Sequence, residues 1–144
     1  MKIKPLVENF LKPEFKTSGS AGMDIYLQSD TTLVVGKDNV INLGFSGAVP
    51  EGYVALLVPR SGTGIKGIGL RNTVGVIDSD YRGEWIAHVV IDEQGNNSFG
   101  DELAYKRGDR LIQCLLVPYL NETIELVDEL DSTERGTGGF GSTN

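Results

Sequence analysis

The sequence predicts an all-β subunit, a jelly-roll-like barrel or sandwich, and three observations carry that expectation. No stretch holds an apolar stripe at helical spacing. The apolar segments are short and are cut by Gly, Pro, Asn or Asp, the residues that punctuate turns. The run "WIAHVVI" alternates two faces, with Trp85, Ala87, Val89 and Ile91 on one and Ile86, His88 and Val90 on the other, the period of a half-buried strand. Glycine supports the same reading. The chain has 19, nearly twice the usual share of about 7%, so tight turns, or loops whose backbone closely approaches something, should be many.

Taken in order, short clusters of strand-forming residues between turn signals place strands at residues 2–7, 23–27, 31–35 and 40–43. The run "YVALLVP", residues 53–59, is Val- and Leu-rich and bounded by turns, which reads as a strand buried on both faces. One short helix is expected near residues 64–67. Strands follow at 73–77, at 85–91 and at 103–105. The run "LIQCLLVPY", residues 111–119, again reads as buried on both faces, and 123–127 closes the series. The C-terminus then changes character, because "RGTGGFGSTN" is too glycine-rich to pack a core. Composition leaves two readings open for it: a frayed tail, or a mobile flap closing on an anion through backbone amides, hydroxyls and Arg135.

With 144 residues, 40% hydrophobic and 23% charged, the chain fits one domain over 1–144 with a real core. Residues 133–144 read as its flexible arm. The net charge of −7 disfavours broad binding to nucleic acid, although arginines and amides converging locally can still hold an anion. The single cysteine, Cys114, excludes an internal disulfide. It sits in an apolar run and reads as a small core residue, with a nucleophile as the sharper alternative. The N-terminus lacks a signal-peptide core, and no segment approaches a membrane span. A reducing, cytoplasmic compartment is therefore expected, or the host cytoplasm if the source is viral.

Familiar phosphate and metal motifs do not fit. No G-x-x-x-x-G-K-[ST] string occurs. A dinucleotide loop needs a βαβ unit, which this strand-rich chain does not offer. "DSDYRGE" begins like a calcium loop, but Arg82 and Val89 stand where oxygen ligands are needed. One His and one Cys cannot build a usual zinc site.

What remains is an ordered set of five polar, glycine-bearing islands: "AGMDIYL" from Ala21, "PRSG" from Pro59, "NTVGVIDSDYRGE" from Asn72, "RGDRLIQ" from Arg107 and "RGTGGFGST" from Arg135. Each is weak alone. Together they resemble the trimeric dUTPases (deoxyuridine triphosphate pyrophosphatases), and the resemblance runs from Ala21 to Thr143. It implies a jelly-roll homotrimer with three interfacial active sites, hydrolysing dUTP to dUMP and pyrophosphate with Mg2+. One subunit would supply much of the phosphate site, a second the uracil hairpin and a third the closing tail. Two departures stand out: "PRSG" lacks a second serine found in many members, and "TGIKGIGLRN" is short and glycine-rich.

The resemblance also implies roles. Asn72, with main-chain groups near Gly75 and Ile77, would meet uracil, and Tyr81 would lie against the deoxyribose. Asp78 would be the general base, and Gln113 would hold the water or the triphosphate. Arg60, Ser61 and Gly62 would bind phosphate by guanidinium, hydroxyl and amide. Arg135 would reach the γ-phosphate, Phe140 would cover the uracil, and Gly141, Ser142 and Thr143 would complete the closing tail. Asp24 would touch magnesium through water. Read from the residues alone, Tyr81 could equally be a half-buried strand aromatic, Asp78 a turn cap and Gln113 a satisfied core amide. Asp80 and Arg82 fit hairpin-stabilising or interface charges, Arg110 an ion pair, and His88 a structural role. Two other functions keep the same residues: a dCTP deaminase of like fold, and a trimeric protein-binding module that senses nucleotide.

Overall fold

The computed structural model describes residues 1–92 and 100–139. The strands are β1 (Lys2–Pro5), β2 (Met23–Ile25), β3 (Thr31–Val34), β4 (Asn39–Ala48), β5 (Tyr53–Pro59), β6 (Ile68–Leu70), β7 (Gly75–Ile77), β8 (Glu84–Ile91), β9 (Glu102–Tyr105) and β10 (Ile112–Pro118). A single helical turn, α1 (Ser61–Gly64), follows β5. One sheet has the order β1-β4-β8-β6, the other β2-β10-β5-β7, and β3 pairs with β9. Every pairing is antiparallel. The fold is the expected all-β, jelly-roll-like sandwich.

The core lies between the sheets. Ile41, Leu43, Phe45, Trp85, Ala87 and Val89 from one meet Met23, Ile25, Ala55, Leu57, Ile112 and Cys114 from the other. Trp85 is fully buried, and its ring stacks tilted against Phe45 at 5.0 Å between centroids. The alternation of β8 holds residue by residue: Trp85, Ala87, Val89 and Ile91 are buried, Ile86 and His88 are exposed, and Val90 is half-buried. His88 pairs with Asp38, Nδ1 to Oδ2 at 2.9 Å. Cys114 is a core residue, and burial pushes its thiol pKa up to about 12, which leaves it inert as a nucleophile at neutral pH.

Four expectations need correction. β5 and β10 are not buried on both faces. Ala55, Leu57, Ile112 and Cys114 face the core, but Val54, Leu56, Val58, Leu115 and Val117 on the other side are only half-buried. Residues 123–127 form no strand and are exposed throughout; an apolar–polar pattern does not suffice when no strand among the described residues pairs with it. The helical turn comes three residues earlier than expected, directly after β5. β6 lies in a glycine-rich stretch whose propensity hides it, and it forms because Ile68 and Leu70 bury against β8. No helix among the described residues is long and apolar enough to cross a membrane.

Candidate active site

The register of the second sheet brings two distant islands together. β2 and β10 pair with Asp24 opposite Gln113, and Gln113 stands opposite Val58 of β5. Partners in register share a face, here the face away from the core. Asp24 is nevertheless only 5% exposed, because two guanidinium groups cover it. Arg60 Nε lies 2.7 Å from one carboxylate oxygen and Arg110 Nη1 2.9 Å from the other. Arg60 follows β5 directly, and its backbone N–H donates to the Leu111 carbonyl at 3.0 Å, so sheet and ion pairs fix it together. A buried carboxylate demands such partners. Its effect is to hold two cations at one strand end.

Beside this triad is a polar cavity of about 260 Å³ lined by Ser20, Gly22, Asp24, Arg60, Ser61 and Gln113, among others. Ser20 is held by Thr17, whose backbone N–H donates to Ser20 Oγ at 3.1 Å. Gly62 lines a second cavity of about 610 Å³ that shares Arg60 with the first and is also lined by Arg110. Apart from its chain neighbours and the backbone of its own helical turn, nothing lies within 4 Å of where a Gly62 side chain would begin, so that side of its backbone is open. The first amides of a helical turn also lack partners within it.

Gln113 is aimed by its surroundings. Its amide nitrogen donates to the Pro59 carbonyl at 3.3 Å. Its amide oxygen rests on Gly22, where a Cβ would lie only 2.3 Å away. We expect Gly22→Ala to displace the Gln113 amide and cut kcat about tenfold, a loss of roughly 1.4 kcal/mol of barrier lowering, with a smaller change in KM. Steady-state kinetics check this, and an unchanged kcat would detach Gly22 from the site.

The third island forms a separate unit. Asn72 and Thr73 cap it, with Val74 N–H donating to the Asn72 carbonyl at 2.7 Å. Thr73 has a φ of 66°, a left-handed conformation uncommon for a β-branched residue. β7 then pairs with β5 on one side only and forms an edge of the sheet. On such a strand alternate residues turn both N–H and C=O outward, free to pair with a ligand. Gly75 is buried, Ile77 half-buried and Asn72 exposed. Asp78 is exposed just beyond β7, beside a cavity of about 510 Å³ that Val76, Ser79, Asp80 and Tyr119 also line. Tyr81 is 44% exposed, its hydroxyl donates to the Glu84 carbonyl at 3.1 Å, and its ring lies so close over Gly83 that a Cβ there would sit 2.3 Å from the hydroxyl. Arg82 stiffens the loop by donating to the Ser79 and Tyr81 carbonyls at 2.7 and 2.9 Å.

Replacing Thr73 by Gly should relieve the strained turn and stabilise the fold by about 1 kcal/mol, while loosening the hairpin and raising KM. Urea denaturation and kinetics read the two effects separately. Destabilisation would mean that Thr73 packing outweighs the strain.

The two units do not meet within one chain. Asp78 lies one position past the Ala55–Ile77 pair, and Gln113 is opposite Val58, two strands over. At strand spacings that is on the order of 15 Å, against the roughly 3 Å reach of a hydrogen bond. Arg135 stands apart too: it is exposed and donates to the Gly138 carbonyl of its own turn at 2.9 Å. Phe140, Gly141, Ser142 and Thr143 lie outside the described residues. The residues that sequence reasoning did not single out are Lys16, Gly22 and Thr73. The Gly22 signal was legible, since it directly precedes the Met-Asp pair of the first island.

Among the described residues no group of three or more His, Cys, Asp or Glu could hold a metal ion. Both oxygens of Asp24 already hold arginines. Direct ligation by Asp24 is therefore disfavoured, and magnesium would fit this donor set only as a hydrated ion brought by a ligand.

A family model described as dUTPase matches residues 8–144. Deoxyuridine 5'-triphosphate nucleotidohydrolase from Dictyoglomus turgidum is 41% identical, with 98% of each chain covered. That from Finegoldia magna is 42% identical with 99% of each covered. Among solved structures, the Staphylococcus bacteriophage 80alpha dUTPase with dUPNHPP superposes with a TM-score of 0.80 at 29% identity, covering 99% of this chain and 97% of that one. A point mutant of the dUTPase from phage phi11 of S. aureus, a structure that reveals the coordination of a structural Mg(II) ion, gives 0.77 at 26% identity, covering 89% and 96%.

Proposed function

This chain belongs to the dUTPase family and is a dUTP diphosphatase, and from that premise we propose that it cleaves dUTP to dUMP and pyrophosphate at sites shared between copies of itself. The observation that carries the shared site is the gap of some 15 Å, at strand spacings, between Asp78 and Gln113 of one chain. Asp78 of one copy must come to the Gln113 cavity of another. Surface left bare on the single chain favours such an assembly. Leu120, Ile124, Leu126 and Leu130 are 81–94% exposed, an apolar row that calls for cover. We assign a homotrimer, one folded domain over 1–144 with 133–144 as its arm, and a cytoplasmic setting.

In the proposed reaction the Asp78 carboxylate takes a proton from a water that the Gln113 amide helps to aim. The water oxygen bonds to the α-phosphorus, the bond from that phosphorus to the α,β-bridging oxygen breaks, and pyrophosphate leaves with the electron pair. Arg60, Ser61 and Gly62 hold the phosphates by guanidinium, hydroxyl and amide, and Arg135 reaches the γ-phosphate. Such donors act by position and by stabilising developing charge. Asp24 is the residue that would meet magnesium through water, and the ion would supply further charge neutralisation when bound.

Selection for uracil follows from the hairpin. Asn72 and main-chain groups near Gly75 and Ile77 complement uracil N3–H and O4. Cytosine reverses donor and acceptor there and leaves groups unpaired, at about 1–3 kcal/mol each. Tyr81 against the sugar leaves no room for a 2′-hydroxyl. Phe140 covers the base, while Gly141, Ser142 and Thr143 give amide and hydroxyl donors as the tail closes. The test is pyrophosphate release from dUTP with magnesium by a sample whose mass in sedimentation is that of three chains. Ammonia release from dCTP instead would replace this reading with a deaminase.

A further inference from the structure

The phosphate cavity has a wall that none of the five islands supplies. Lys16 lines it together with Arg60, Ser61 and Gln113. Its ammonium pairs with Glu14, which also accepts the Tyr26 hydroxyl, and it sits 5.3 Å from the centre of the Tyr26 ring. Glu14 in turn is joined to Asp24 by two backbone hydrogen bonds, at 2.9 and 3.2 Å. The tether is thus anchored to the same strand that carries the buried carboxylate.

We infer that Lys16 is a further polyphosphate-binding residue of this site, parked on Glu14 and Tyr26 when no ligand is bound and transferred to phosphate oxygens when one arrives. The inference rests on the proposed reaction only for the ligand's class, a nucleoside triphosphate. A charge count supports it. Arg60 and Arg110 share the one carboxylate of Asp24, so the triad brings a net single positive charge to a ligand with about four negative ones. Lys16 is the lining cation whose partner is itself exposed: the two side chains are 45% and 47% accessible. An exposed pair is weak, whereas a lysine–phosphate hydrogen bond is charge-assisted on both sides. Glu14 keeps the Tyr26 hydroxyl after the transfer, so it is not left unpartnered. Hydrogen bonding to Glu14 first, and to Tyr26 second, holds the Lys16 pKa above its ordinary value, so the group is charged whenever ligand arrives.

Inorganic triphosphate is the direct probe, titrated calorimetrically into the assembled protein at low salt. Lys16→Gln should bind it about fivefold to tenfold more weakly, Lys16→Arg should restore most of the loss, and the difference should shrink in high salt. Glu14→Gln frees the lysine and should tighten binding, a gain that disappears in the Glu14→Gln/Lys16→Gln double variant. With dUTP the Lys16→Gln loss should fall on KM rather than kcat. Equal triphosphate affinity in wild type and Lys16→Gln, no binding by wild type, or weaker binding by Glu14→Gln would each overturn the inference. The two readings separate cleanly. Triphosphate binding that depends on Lys16 in a protein unable to hydrolyse dUTP would sink the reaction and keep the lysine. Normal hydrolysis with an indifferent Lys16 would do the reverse.

Discussion

Asp78→Asn should lower turnover of dUTP by about 10²–10⁴-fold, the range supplied by a positioned general base, and leave nucleotide binding largely intact. The amide has the carboxylate's shape but cannot take the proton of the attacking water. The fold gives this variant little chance to fail for other reasons. Asp78 is exposed at the end of an edge strand, and its carboxylate makes no hydrogen bond or ion pair with the described residues. Stability should therefore stay within about 0.5 kcal/mol of wild type. Asp80→Asn is the matching control, two residues away in the same exposed loop, and should keep its rate. Quenched-flow measurement of pyrophosphate, beside binding of the nonhydrolysable dUpNHpp, separates chemistry from affinity. A wild-type rate for Asp78→Asn would remove Asp78 as the base. Equal losses in both variants would point to loop structure instead.

The sandwich was legible where burial follows one period. β8 alternates because one face meets the Phe45–Trp85 core and the other meets solvent. The same logic misled at β5 and β10, where Val54, Leu56, Leu115 and Val117 are as apolar as their core-facing neighbours. Their outer face is half-buried rather than interior, and a single sequence does not separate the two. Residues 123–127 failed in the same way, with a strand's pattern and no pairing partner among the described residues. At the site, motif order pointed to Asp24, Arg60, Asp78 and Gln113, but not to their arrangement. The Asp24–Arg110 ion pair spans 86 positions and exists only through the β2–β10 register. The strained φ of Thr73 has no sequence signal, since a threonine in a turn normally argues against it. Lys16 went unseen because its partner, Glu14, makes the pair look like an ordinary solvated surface.

The largest gain of function should come from mixing two crippled variants. Arg60→Gln removes the charge proposed to hold phosphate and keeps a donor for Asp24. Asp78→Asn removes the proposed base. Each homotrimer alone should be nearly inactive, because every site in it lacks one group. If Arg60 and Asp78 of a working site come from different copies, mixed trimers contain sites whose phosphate half comes from the Asp78→Asn chain and whose hairpin comes from the Arg60→Gln chain. Both halves of such a site are intact. Random exchange of equal amounts makes about a quarter of all sites competent, from the chance of drawing the right chain at each of two positions in a closed ring. Unfolding and refolding the two variants together should recover about a quarter of wild-type activity. Mixing without exchange should recover none, which shows that the gain needs shared sites rather than a contaminant. A site contained within one chain predicts no recovery at any ratio, because every chain in the mixture carries a lesion. That outcome would overturn the shared site despite the distance between Asp78 and Gln113. A rise and fall of activity with composition, highest at equal amounts, would establish that one copy's edge strand serves another copy's cavity.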